Sequence, residues 1–183
     1  MVGYAGTMIE LMILGFLADG PLCGYELRKK MERLQGYARN ISDGTIYPAG
    51  KRMMAAGLVR EEAGVGESGR PRRTLIIEPA GRERLVEILK GVQGVDITNP
   101  ANWFVVLSFL HHLPDKVDRD AVLRRRYDYL NERHIGFFAS GGHVLTAKEI
   151  DDPYRRGVIV SAKATRTAEL AWLREMLGID AER

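Results

Sequence analysis

A chain of 183 residues with 45% apolar content is long enough to bury a real core, as one domain or as a small domain with an appendage, and too apolar to stay disordered. Its net charge of +3 lies in the first half, where residues 1–90 carry 14 Lys or Arg against 11 Asp or Glu, while residues 91–183 carry 13 against 13. The single cysteine, Cys23, excludes an internal disulfide and any zinc site built on several thiolates, and the apolar runs Met8 to Leu17 and Trp103 to Leu113 are too short to cross a bilayer.

The N-terminus has neither the basic start nor the cleavage site of a secretory signal, so a cytoplasmic location is expected. In chain order, Met8, Ile9, Leu11, Met12, Leu14, Phe16 and Leu17 predict a first helix that is apolar nearly all round. Such a helix needs cover on more than one side, from something beyond its own small domain. Asp19-Gly20-Pro21 ends it, and Gly24 to Leu34 resumes as a second helix with Leu27, Met31 and Leu34 inward and Arg28, Lys29, Glu32 and Arg33 on the wet side. After the connection Gly36 to Ile41, Ser42 is the expected cap of a third helix, and Asp43 suits the positive end of its dipole.

On the third helix Ile46, Gly50, Met53 and Gly57 share the face expected to pack inward. Thr45, Ala49 and Arg52 share another, and Tyr47, Lys51 and Met54 a third. Pro48 has no amide hydrogen, so a helical bond to Gly44 is lost and the start of the helix should distort or shift. Leu58 to Glu62 and Arg73 to Ile77 read as short strands around a tip containing Gly64, Gly66 and Gly69, and Glu78-Pro79 opens a fourth helix striped by Leu85, Ile88 and Leu89. Three helices followed by a hairpin make a winged helix-turn-helix, and double-stranded DNA the leading partner.

Beyond residue 92, Asp118 to Phe138 and Pro153 to Leu177 read as two helices, the second with Ile159, Ala162, Arg166, Leu170, Leu173 and Leu177 near heptad spacing. A helical arm without a core of its own needs a partner surface, and a second copy of the chain would cover both this arm and the first helix. The expected fold is therefore mainly α, with a winged helix-turn-helix and two-stranded wing over residues 1–92 and all-α dimerisation helices over residues 93–183. A two-fold homodimer would bind a palindromic operator.

The stretches Gly20-Pro21-Leu22-Cys23-Gly24-Tyr25-Glu26-Leu27, Gly44-Thr45-Ile46-Tyr47-Pro48-Ala49, Gly57-Leu58-Val59 and Pro79-Ala80-Gly81 resemble the PadR family of bacterial transcriptional regulators, over roughly residues 8 to 90. The second half looks like the helical dimerisation segment of that family's longer branch. The resemblance implies repression. Gly50 stands where the family usually has leucine, Met54 where it has an acidic residue, and Thr74 and Leu75 replace an aromatic pair, so a phosphate contact from a tyrosine there does not carry over.

Recognition of DNA divides between cations that neutralise phosphates and side chains that reach base edges. Lys51, Tyr47, Arg70, Arg72 and Arg73 are assigned to phosphate or sugar, Thr45, Ala49 and Arg52 to the groove, and Gly44 and Pro48 to shaping the helix start. Trp103, Phe104, Phe109, Tyr127 and Phe138 are candidates to line a pocket for a small-molecule effector, although aromatics at helical spacing are more often plain core. Side chains of adjacent His111 and His112 would diverge by about 100° on a helix, and His134 and His143 lack ligand spacing, so no metal is expected. Cys23 has no second thiol to resolve an oxidised sulfur, and packing is its expected role. The chain has no phosphate-binding glycine loop, nucleophile elbow or His-Glu-x-x-His pattern, so neither a cofactor nor an enzymatic activity is expected. Two other readings stay open: a winged-helix module that binds proteins, and a small-molecule-binding protein without specific DNA binding.

Overall fold

In the computed structural model, which describes residues 4–34, 43–65, 71–132, 138–140 and 143–179, the first helix is the centre of the N-terminal core. Helix α1 (Tyr4–Asp19) buries Leu11, Met12, Ile13, Leu14 and Leu17, and packs against α2 (Gly24–Leu34), α3 (Asp43–Ala55), α4 (Pro79–Gly91) and α6 (Pro100–Phe109). The cover expected from a second chain is thus supplied by the same chain. Gly15 makes it fit: a Cβ there would lie 2.5 Å from ring atoms of Phe109, whose ring meets Phe16 edge-on at 4.9 Å between centroids.

The hairpin is longer than the sequence pattern predicts, with β2 (Val59–Val65) and β3 (Pro71–Ile77) paired antiparallel from Val59 opposite Ile77 to Val65 opposite Pro71. A third strand, β1 (Leu22–Cys23), joins β3 and gives the order β1-β3-β2. Two residues carry no periodicity, which is why β1 escaped the sequence reading. Gly57, at φ +69°, turns the chain from α3 into β2 in a conformation that β-carbons disfavour. Gly81 lets α4 cross close to the strand, since a Cβ on it would sit 2.2 Å from the Leu58 carbonyl oxygen.

Two compact units divide the chain at Met1–Arg119 and Asp120–Arg183, later than the boundary expected at residue 92. The short α5 (Val95–Thr98), α6 and the 3-10 turn Leu110–His112 belong to the first unit because Trp103, Val106 and Phe109 are buried there. The Asn99 side chain starts α6 by accepting the Ala101 and Asn102 amides at 2.9 and 3.2 Å.

Helix α7 (Lys116–Asn131), in the second unit from Asp120 onward, ends earlier than the helix expected to run to Phe138. It is followed by a two-residue pair, β4 (Ala139–Ser140) and β5 (His143–Val144), where only helix was expected, and by α8 (Pro153–Leu177), whose limits match the sequence reading. Arg126, 3% exposed, forms a two-pronged pair with Glu169 at 2.8 and 2.9 Å. Arg166, the odd member of the heptad stripe, donates to the Leu130 carbonyl in the last turn of α7. That arginine therefore serves contact within the chain, where a helix end leaves carbonyls without helical partners.

Candidate nucleic-acid interface

The inner face of α3 holds Ile46, Ala49, Gly50 and Met53 against the core, and this fixes which side chains point outward. Tyr47 is 68% exposed, and Gly44, Pro48, Lys51 and Arg52 are exposed with it. Ala49 is only 2% exposed, so its assignment to the groove is corrected: it is a packing residue. It lies three residues after Ile46 and four before Met53, the helical spacing of a single face. The side chains of Asp43 and Thr45, together with Ser42 and Arg70, lie outside the described residues, and so do the wing tip and His134.

Pro48 does not interrupt α3, which runs continuously from Asp43 to Ala55. The lost bond falls in the second turn, where the exposed backbone of Gly44 can be satisfied by water. Gly50 is buried, yet a Cβ built on it meets nothing within 4 Å. Close backbone packing is therefore not its reason.

The strand arginines are engaged. Arg72 lies 2.7 Å from Glu26, Arg73 3.1 Å from Glu61, and Arg60 2.7 and 2.8 Å from Glu62 and Glu78. Glu26 is a structural link to which the sequence reading gave no role. Its Oε2 accepts both the Cys23 amide at 2.9 Å and the Arg72 guanidinium at 2.7 Å, tying the start of α2 to β3. The Cys23 amide, then Arg72, hold the Glu26 carboxyl below its ordinary range. The signal was an acidic residue in the first turn of a helix, placed to reach back to the residue before it. Lys51 and Arg52, by contrast, have no carboxylate partner among the described residues, so the α3 face presents the less compensated positive charge.

Trp103 and Phe109 are buried in the core, and Phe104 is exposed. His111 and His112 also behave differently from expectation. The 3-10 turn holds their ring centroids 4.0 Å apart instead of splaying them.

Three helices with a β2–β3 wing and a cationic α3 face coincide with the segment matched by the Transcriptional regulator PadR-like family, residues 13–87. The transcriptional regulator Rv3488 of Mycobacterium tuberculosis is 39% identical over 79 residues, covering 43% of this chain and 70% of that protein. The chain belongs to the PadR-like family. A 37.1 kDa uncharacterized protein in transposon TN4556 of Streptomyces fradiae shares 38% identity over 76 residues with this PadR-like chain, 42% of it, and the match spans 20% of the transposon protein. Among solved structures, Bacillus subtilis PadR in complex with operator DNA aligns over 92% of this chain and 97% of that one, with 16% identity and a TM-score of 0.44.

Proposed function

We propose that this PadR-like chain is a transcriptional repressor that binds a palindromic operator as a homodimer and is released by a small-molecule effector. The observation that carries the DNA-binding part is the outward face of α3, where Tyr47, Lys51 and Arg52 stand exposed on a helix whose opposite face is locked by Ile46, Ala49 and Met53. A helix held rigidly on one side and cationic on the other is suited to enter a major groove while its charges displace counterions from phosphate. Tyr47 and Lys51 hold the backbone, Arg52 reads bases, and Arg72 and Arg73 flank the duplex from the wing. For Arg72 and Arg73 this requires exchanging Glu26 and Glu61 for phosphate, which costs little at the exposed Arg73–Glu61 pair.

The homodimer is favoured by the first half of α8, where Tyr154, Val158 and Val160 are exposed apolar side chains. A gel shift against the DNA upstream of the chain's own coding sequence tests the reading. The expected result is a retarded complex that weakens steeply with salt and survives excess random duplex. Equal affinity for random duplex at every salt concentration would overturn it.

A further inference from the structure

At the C-terminal end of α1, three side chains converge that the DNA-binding reading does not use. Asp19 is the last residue of that helix, and His111 and His112 lie in the 3-10 turn after α6, in the same compact unit. Asp19 Oδ1 is 3.4 Å from His111 Nε2 and 3.1 Å from His112 Nε2. One donor atom from each of the three residues lies within 4.8 Å of the other two. Ligand atoms about 2.0–2.1 Å from a tetrahedral ion stand roughly 3.3 Å apart, so both carboxylate-to-imidazole distances are already those of two edges of such a shell.

Two further observations point to a cation there. The His112 Nε2 is buried, and its nearest polar neighbour is Asp19 Oδ1 at 3.1 Å, with which it makes no well-formed hydrogen bond. The backbone of Gly15 bonds to the same ring. A backbone carbonyl bonded to one ring nitrogen orients a ligating imidazole and leaves the other nitrogen for a metal. Secondly, Asp19 places a carboxylate at the negative end of the α1 dipole, where an anion is disfavoured and a cation favoured. The His111 side chain, 61% exposed, leaves the cluster open to solvent and gives an ion a way in.

We infer that Asp19, His111 and His112 form a binding site for one divalent transition-metal ion of the zinc, cobalt or nickel type. Two imidazoles and one carboxylate suit these ions, whereas magnesium and calcium take oxygen ligands. Three protein ligands leave the fourth position to water or to another small ligand. This site is independent of the DNA-binding reading and stands or falls without it.

Titration of the full chain with Zn2+ by calorimetry, and with Co2+ by visible absorption, tests the inference. The expected result is one equivalent per chain at micromolar protein, with cobalt bands of a low-coordinate nitrogen and oxygen site. His111→Ala and Asp19→Asn, both at solvent-facing side chains, should each weaken Zn2+ by roughly tenfold or more, and His143→Ala should leave it unchanged. His112→Gln adds a third arm, with circular dichroism checking that the turn still folds. Zn2+ binding by His111→Ala and by Asp19→Asn as tight as in the unaltered chain would overturn the site, as would the absence of a one-equivalent phase.

Discussion

Lys51 and Arg52 are neighbours on an exposed helix, yet their side chains leave the axis about 100° apart and so meet different parts of a duplex. If Lys51 neutralises phosphate, Lys51→Ala should weaken every duplex by a similar factor and lower the slope of log affinity against log salt by about one. Arg52→Ala should instead cost about 1–3 kcal/mol on the preferred operator and much less on random DNA. Binding isotherms on both duplexes at several salt concentrations separate the two, and equal effects would sink the division of roles. Gly50 carries a prediction of opposite sign. Because its Cβ position is empty and it lies inside α3, Gly50→Ala should raise stability by roughly 0.5–1 kcal/mol in urea unfolding. Periodicity alone revealed that Ile46 and Met53 face inward and that Lys51 and Arg52 do not. It misplaced Ala49 because a small residue gives no hydrophobic signal strong enough to fix the angle of the face, and only packing decided it.

Elements expose a different limit of sequence reading. The start of α4 and both ends of α8 were legible from Glu78-Pro79 and from the proline-led run to Leu177, where composition and capping agree. What was not legible was which elements touch, since Gly15 and Phe109 are far apart in the chain and nothing local pairs them. Their fit makes a testable demand. Gly15→Ala would drive a methyl group to 2.5 Å from the Phe109 ring, and overpacking of this kind should cost about 1–3 kcal/mol, read as a lower urea midpoint. Glu26 joins elements through charge. Its folded-state carboxyl lies below the ordinary value near 4.3, so the stability it adds is present above that pH and is lost as pH falls through the folded value. Glu26→Gln should therefore lower stability at neutral pH and lose less of it than the unaltered chain as the pH falls below the ordinary carboxyl value. A parallel acid limb in the two proteins would show that the Glu26 bonds to Cys23 and Arg72 do not contribute.

For the whole molecule, the question is what the exposed apolar residues of α8 meet. The internal cover of α1 removes one of the two grounds for a dimer, so the case rests on α8. Within the second unit its Arg166 and Glu169 are spent on α7, while Tyr154 and Val158, one helical turn apart, face water. Apolar side chains on one exposed stripe are stabilised when an identical stripe covers them, and a two-fold axis supplies that pairing with no further design. On the proposed homodimer reading, a two-fold pair of α3 helices would bind two half-sites with centres about 34–36 Å apart, one turn of duplex. Tyr154→Glu combined with Val158→Glu places charge on the stripe without touching the cores of either unit. Sedimentation equilibrium should show the monomer mass for this variant and twice that for the unaltered chain, with unchanged far-ultraviolet circular dichroism. The same variant should lose its preference for a two-half-site operator over a single half-site, because the second contact is no longer held near the first. Insertion of about half a helical turn between the half-sites should reproduce that loss with the unaltered chain, since it rotates one site to the far side of the duplex. Retention of the dimer mass in the variant would locate self-association elsewhere, and indifference of the unaltered chain to half-site spacing would exclude a rigid two-fold reader.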